Sequence, residues 1–80
     1  MKLPRDLSGA DLAKALKKLG YVVTRQRSSH IRMTTQQNGE HHVTVPDHDQ
    51  VRLGTLAEIL KDVGDHCGLQ RDELLDQLFS

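Results

Sequence analysis

Apolar residues recur at helical spacing near the start of the chain, and other residues mark the limits of the helix that they predict. Ser8 occupies the N-cap position, with Asp11 three residues later in an aspartate version of the capping box. Gly20 supplies the stop, because glycine adopts the left-handed backbone conformation at little cost. The apolar face consists of Leu12, Ala15, Leu16 and Leu19. These features predict a first helix between Ser8 and Gly20.

The pattern then changes to one that is typical of β-strands. Residues 21–27 are rich in β-branched side chains, and residues 29–35 and 41–45 each place apolar side chains on one face. A serine pair and a Gln-Asn-Gly sequence mark the two turns between these segments. Pro46 ends the third segment because proline has no N–H group to donate. The sequence therefore predicts three consecutive antiparallel strands.

The apolar positions also predict how the second and third strands pair. Placing Val43 beside Met33 and Val45 beside Ile31 puts all four side chains on one face. This register leaves a three-residue loop centred on Asn38, whose glycine is free to take the left-handed bulge position. The opposite face then carries His30, Arg32, Thr34, His42 and Thr44.

The first strand extends the same argument. If Tyr21 and Val23 face the core, alternation adds Thr24 and Gln26 to the polar face. Gln26 would then lie opposite His30.

Two further helices follow the strands. Thr55 and Glu58 form a capping box that starts the second helix, whose apolar face continues to Cys67 and which Gly68 ends. Residues 71–79 predict a short last helix with acidic residues in its favourable first turn.

These elements predict one α+β domain over residues 1–80, in the order α-β-β-β-α-α. Helices that flank a run of antiparallel strands cover one sheet face and leave the other open. A three-stranded antiparallel sheet with helices packed on one face is the arrangement of double-stranded-RNA-binding domains, here with a terminal helix added. Fold alone does not give function.

Composition excludes several classes of protein. Tyr21 and Phe79 are the only aromatic residues, and both occupy core positions, which argues against stacking of single-stranded bases. A single cysteine permits no internal disulfide and no multi-cysteine zinc site. No segment has the length and hydrophobicity of a membrane span or a secretory signal. We therefore expect a cytoplasmic protein without a cofactor.

Charge is distributed unevenly although the net charge is zero. Residues 1–45 contain eight basic and three acidic side chains, and residues 46–80 contain three basic and eight acidic ones. The basic half can meet phosphates, or it is ordinary solvated surface. The candidate phosphate contacts are Lys14, Lys17, Lys18, Arg25, Arg27 and Arg32.

Four segments carry a resemblance to a known family. They are Ser8-Gly9 with the helix that ends at Leu19-Gly20, Ser28-Ser29-His30, Val45-Pro46-Asp47-His48, and the run from Gly54 to Leu60. In this order the segments resemble the HicA family of bacterial and archaeal toxins, also called YcfA-like mRNA interferases. The resemblance covers nearly all of the chain.

The resemblance implies a fold, an activity and a partner. Such proteins have a double-stranded-RNA-binding-like fold and cut mRNA, their motif histidine is catalytic, and a HicB-type antitoxin masks it. The motif histidine here is His30. DNA would be reached only indirectly, through the antitoxin. Ser28 stands where the family has glycine, so we expect a different turn before His30, because serine accepts a positive φ only at a cost.

His30 has the chemistry that RNA cleavage needs. Attack by a 2′-hydroxyl requires a base, a cation for the phosphate and an acid for the leaving 5′-oxygen, and histidine titrates near neutrality. Arg32 follows two residues later on the same face, and His48 is a possible helper or a loop residue whose ring binds backbone. This chemistry needs no metal. On the pattern alone, His30 can also be a plain surface histidine.

Two other clusters are weaker candidates. A metal could use His41, His42, Asp47, His48 and Asp49, but the spacing fits no standard motif, and neighbouring strand residues point to opposite faces. Cys67 and His66 are adjacent on a helix and do not face each other, so we do not expect a cysteine nucleophile. We expect His42 to be a solvated side chain. Two alternatives stay open: a non-catalytic double-stranded-RNA-binding module, and a protein–protein adaptor that uses the acidic half.

Overall fold

Within the described part of the chain, three strands form one antiparallel sheet, and three helices cover one of its faces. The computed structural model describes residues 2–80. The elements are α1 (Gly9–Leu16), continued by a 3₁₀ turn (Lys17–Leu19), β1 (Val22–Arg27), β2 (His30–Thr35), β3 (His41–Pro46), α2 (Leu53–Cys67) and α3 (Arg71–Phe79). The strand order in the sheet is β1-β2-β3. This confirms the predicted α+β class and element order. None of the helices within residues 2–80 is long and apolar enough to cross a membrane.

The first helical segment begins and ends at the residues that the sequence predicts. The Ser8 side chain accepts a hydrogen bond from the backbone N–H of Asp11 at 3.0 Å. Gly20 has a φ of 86°, which places it in the left-handed region where glycine is favoured. Both predicted ends are confirmed.

The predicted N-cap of α2, Thr55, is wrong by three residues. The helix begins at Leu53 after Arg52, which has extended backbone and no side-chain cap. Buried Val51 is held because its N–H donates to the carbonyl of Leu7 at 2.8 Å, so the chain turns directly after it. Gly68, with a φ of 68°, ends the helix as predicted.

The limits of α3 are those predicted. Its N-terminal box, formed by Gln70 and Glu73, was not expected from the sequence, because glutamine is not a common N-cap residue.

The register of β2 and β3 is the predicted one. Ile31 pairs with Val45 and Met33 with Val43, and all four side chains are buried. Gly39 in the intervening loop has a φ of 95°, as the left-handed bulge position requires. The alternation of apolar residues therefore predicted the register of this hairpin correctly.

The pairing predicted for β1 is wrong from Thr24 onward. The register shifts between Val23 and Arg25, which inserts one extra residue as a β-bulge. Gln26 therefore pairs with Ile31, and Arg27 lies opposite His30. Because a shift of one residue exchanges the two faces of a strand, the bulge moves Arg25 and Arg27 to the face that carries His30.

One hydrophobic core lies between the helices and the sheet. The most deeply buried apolar side chains are those of Tyr21, Leu12, Leu16, Met33, Val45, Leu56, Val63, Leu74, Leu75 and Leu78. Phe79 packs against this core while partly buried. All of β1 is exposed, including Val22 at 56 % and Val23 at 42 %, so this edge strand extends beyond the helical layer.

A close approach of two backbones joins α1 to the end of β3. Buried Gly9 donates its N–H to the carbonyl of His48 at 2.9 Å. A Cβ atom at Gly9 would overlap the carbonyl oxygen of Pro46 and lie 2.9 Å from Cα of Asp47. The N–H of Asp47 in turn donates to the carbonyl of Ser29 at 2.7 Å, in the turn that precedes His30. This Gly9 junction therefore links the first helix to the β1–β2 turn.

We predict that Gly9→Ala lowers the free energy of unfolding by about 1–3 kcal/mol, because the added methyl group has no space. Gly54 is the matched control, since a Cβ atom there meets nothing within 4 Å. Gly54→Ala should raise the free energy of unfolding by about 0.5–1 kcal/mol through helix propensity. Urea unfolding of both variants measures the difference, and equal stabilities would contradict the close approach.

Candidate active site on the open sheet face

The side of the sheet that faces away from the helices is the open face, and three cross-strand rows of side chains form it. The His30 row contains Arg27, His30 and Pro46. The Arg32 row contains Arg25, Arg32 and Thr44. The His42 row contains Val22, Thr34 and His42, with Thr24 beside them. The polar face predicted for β2 and β3 is confirmed, and the bulge adds two arginines to it.

His30 lies at the end of the open face, directly after the β1–β2 turn. The residue is exposed and pairs with Arg27 on one side and Pro46 on the other. Its ring makes no hydrogen bond or ion pair with another side chain within residues 2–80. The imidazole is therefore accessible to a bound molecule, with an arginine directly across from it.

The turn before His30 has a positive φ at Ser28, a backbone conformation that glycine adopts more easily than serine. Ser28 and Ser29 join the pair formed by Arg27 and His30, and Ser28 has a φ of 47°. A positive φ at the first central residue is a feature of the turns that suit two-residue hairpins. Ser28 therefore adopts the left-handed conformation despite the cost to a residue with a Cβ atom.

His48 is exposed in the segment after β3, at the same end of the sheet as His30. Its carbonyl accepts the hydrogen bond from Gly9, and the N–H of Asp47 binds Ser29. Asp47 also accepts a hydrogen bond from the side chain of Gln26 at 3.2 Å. The ring of His48 itself makes no hydrogen bond in the part of the chain that the structure describes. Backbone contacts and the Asp47 side chain, rather than the His48 ring, therefore hold this loop.

Arg25, Arg27 and Arg32 lie together on the open face without an acidic partner in contact. All three are exposed, and none forms a salt bridge or side-chain hydrogen bond within residues 2–80. Arg25 lies directly opposite Arg32, an arrangement of like charges that is unfavourable in a sheet. The open face is consequently a concentrated positive surface in the free protein.

The three lysines predicted as phosphate contacts lie elsewhere. They belong to α1 and its 3₁₀ extension, which are in the helical layer on the other side of the sheet. The ammonium group of Lys18 donates to the carbonyl of Leu78 at 3.1 Å, near the end of α3. Lys14 and Lys17 are exposed. The structure therefore does not bring the lysines together with the arginines.

His42, which the sequence predicts to be a solvated side chain, has a hydrogen-bond partner at each ring nitrogen. Its Nδ1 atom is 2.7 Å from the hydroxyl of Thr34, and its Nε2 atom is 3.0 Å from the carboxylate of Glu40. A hydrogen bond from Gln36 and then the contact with His42 lower the pKa of Glu40, and the charge of Arg32 adds a smaller effect in the same direction. Sequence reasoning missed Glu40, although its position two residues before His42 puts both on one face of the chain.

His41 points to the opposite side of the sheet, as the strand alternation predicted. Its Nδ1 atom is 2.7 Å from the hydroxyl of Tyr21, and its Nε2 atom is 3.2 Å from Asp62. Its ring stacks on His66 with 4.3 Å between ring centroids. Burial raises the pKa of Tyr21 far above its ordinary value. Because His41 and His42 diverge, they cannot share one metal ion, and no group of three possible ligands occurs within residues 2–80.

Cys67 and His66 do not form a nucleophile and base. His66 directs Nε2 to the carbonyls of Gln37 and Gly39, at 2.9 and 3.1 Å. Burial raises the pKa of the Cys67 thiol, and a hydrogen bond with Tyr21 only partly opposes this effect. A raised pKa leaves less thiolate, which is the reactive form. This pair instead connects α2 to the β2–β3 loop and the core.

Comparison with known families adds an independent observation. The family model described as the HicA toxin of bacterial toxin-antitoxin systems matches residues 9–64, which is more than half of the chain. The chain belongs to the HicA toxin family. The matched segment begins at Gly9 of the junction and contains the whole open face, whereas α3 lies outside it. No curated protein and no solved structure matches the chain.

Family membership has two consequences for this chain. It makes the protein the toxin component of a toxin–antitoxin pair. It also implies an antitoxin partner and an RNA target.

We predict that Ser28→Gly raises the free energy of unfolding by up to about 1 kcal/mol. Left-handed backbone costs a residue with a Cβ atom about 1–2 kcal/mol, and the greater freedom of glycine in the unfolded chain offsets about 0.4–1 kcal/mol. Ser29→Gly is the matched control, because it makes the same chemical change at the neighbouring residue, which has no positive φ to relieve. It should lower the free energy of unfolding. Chemical denaturation of both variants tests this; if Ser28→Gly loses as much stability as Ser29→Gly, the assigned turn is wrong.

Proposed function

We propose that this HicA-family toxin is a ribonuclease that cleaves mRNA with His30 as its acid/base, without a metal ion. The observation that carries the proposal is the His30 row. An accessible imidazole faces Arg27 there, and the Arg25–Arg32 pair follows in the next row. The row thus combines a proton acceptor with positive charge for a phosphate.

The proposed reaction is transfer of a phosphodiester to its own 2′-hydroxyl. His30 removes the proton from the 2′-oxygen, which attacks the neighbouring phosphorus, and the bond from phosphorus to the 5′-oxygen breaks. The arginines stabilise the charge that develops on the phosphate oxygens. A protonated imidazole or water returns a proton to the leaving 5′-oxygen, and His48 is the proposed helper in this step. The products are a 2′,3′-cyclic phosphate and a 5′-hydroxyl.

The proposed partner is a HicB-type antitoxin that covers the open face. An acidic surface on this partner would pair with Arg25, Arg27 and Arg32, which form no salt bridge within residues 2–80. It would also block access to His30. DNA is then reached only through the antitoxin, and the proposed place of action is the cytoplasm.

One observation favours a second candidate function, a non-catalytic RNA-binding module. The ring of His30 has no hydrogen-bond or ion-pair partner within residues 2–80 that would fix its orientation. Catalytic histidines usually have such a partner on the second ring nitrogen. The arginine surface would bind RNA in either case, because phosphate contacts supply most of the affinity.

We predict that the purified protein cuts RNA in the presence of EDTA and that His30→Ala cuts it at least about 100-fold more slowly, as expected for loss of acid/base catalysis. His42→Ala is the matched control, because it removes a histidine from the same face two rows away. It should retain most of the activity. Circular dichroism of each variant establishes that it is folded.

The other outcomes separate the candidates. Equal cleavage by wild type and His30→Ala would refute the assignment of His30. Products with 5′-phosphate ends would refute 2′-hydroxyl attack. Binding of RNA by a wild-type protein that leaves it intact would favour the non-catalytic module.

A further inference from the structure

The Arg32 row contains an arrangement of charge that the folded protein alone does not explain. Arg25 and Arg32 are direct cross-strand partners, and Thr44 continues the row on β3. Opposed like charges destabilise a sheet. Arg32 interacts electrostatically with Glu40 beyond salt-bridge distance, and no acidic side chain within residues 2–80 forms a salt bridge with either arginine. An anion bound between the two guanidinium groups would remove this repulsion.

We propose that the Arg32 row is a second phosphate site, which binds the phosphate next to the one that is cleaved at the His30 row. This inference rests on the proposed RNA-cleaving function. It adds a direction for the substrate, whose backbone runs along β2 rather than across the sheet.

The spacing of the two rows supports this direction. His30 and Arg32 are two residues apart on β2, and Arg27 and Arg25 are two residues apart on β1. Two residues of a β-strand span about 6.6 Å. This is roughly the span of the single nucleotide that joins neighbouring phosphates in an RNA strand. The β-bulge at Thr24 produces the match, because it returns both arginines of β1 to the open face.

The side chains of the row suit a phosphate rather than a base. An arginine offers paired N–H donors that fit phosphate oxygens, and two arginines can hold the group from opposite sides. The exposed Thr44 adds a hydroxyl donor. Stacking on bases is not available in this row, since it contains no aromatic side chain.

The next row does not continue the series of phosphate sites. His42 contacts the carboxylate of Glu40, whose negative charge opposes a third phosphate. Val22 in the same row is 56 % exposed and offers an apolar contact. The positive surface is therefore two phosphates long and ends at a row better suited to the sugar or base of the following nucleotide.

The test measures RNA binding as a function of salt concentration. The probe is a short 2′-O-methyl RNA, which lacks the attacking hydroxyl and stays intact. The variant Arg25→Gln with Arg32→Gln should reduce the slope of log K against log salt by about 0.7, as expected when one fewer phosphate of a single strand is neutralised. Lys14→Gln with Lys17→Gln removes the same charge from the helical layer and should leave the slope unchanged.

A neutral methylphosphonate linkage then locates the contact. Wild type should lose affinity when this linkage replaces the phosphate on one side of the cleaved position, whereas the double arginine variant should bind both probes equally. Loss of affinity in both proteins, or in neither, would overturn the second phosphate site. So would a lysine variant that lowers the salt slope as much as the arginine variant.

Failure of this inference and failure of the proposed function give different results. If wild type cuts RNA and the double arginine variant binds it with an unchanged salt slope, the second phosphate site is refuted while the ribonuclease stands. If wild type does not cut RNA, yet loses affinity with the methylphosphonate only when the arginines are present, the ribonuclease is refuted while the phosphate site stands.

Discussion

The close backbone approach at Gly9 is the constraint on which the candidate site depends. The first helix can reach the end of β3 only because residue 9 has no Cβ atom, which would overlap the carbonyl of Pro46. The same segment binds Ser29 through the N–H of Asp47, so it also fixes the turn before His30. A residue in the first helix therefore helps to position the candidate catalytic histidine, although the two lie on opposite sides of the sheet. The structure therefore connects the serine–glycine pair at the start of α1 to the segment that contains His30.

The hairpin of β2 and β3 and the pairing of β1 show what a sequence pattern can predict. Ile31, Met33, Val43 and Val45 are all buried, so only one register puts them on the same face, and the sequence predicts it correctly. β1 has no such restriction, because every residue in it is exposed. Nothing in its apolar pattern indicates a bulge at Thr24, and the positions of Arg25 and Arg27 could not be predicted without it.

In the candidate site, too, the sequence predicts some positions correctly and leaves others unpredicted. Histidine chemistry and alternation along β2 predict His30 and Arg32 on one face, and the structure places them there. The sequence cannot show that Lys18 binds a carbonyl at the end of α3, because that contact joins residues far apart in the chain. Charge counted along the chain therefore overestimated the basic surface near His30. The remaining positive charge is smaller but concentrated on one face, which suits recognition of a short stretch of phosphodiester backbone.

The most direct measurement of the central claim is an NMR titration with a short 2′-O-methyl RNA, following the His30 ring and the side-chain Nε–H signals of the arginines. The open face predicts shifts at His30, Arg25, Arg27 and Arg32. Signals of Arg5, Arg52 and Arg71, which are exposed outside the open face, should remain in place. Shifts confined to these last three arginines, with His30 unchanged, would contradict the assignment of the open face as the RNA-binding surface.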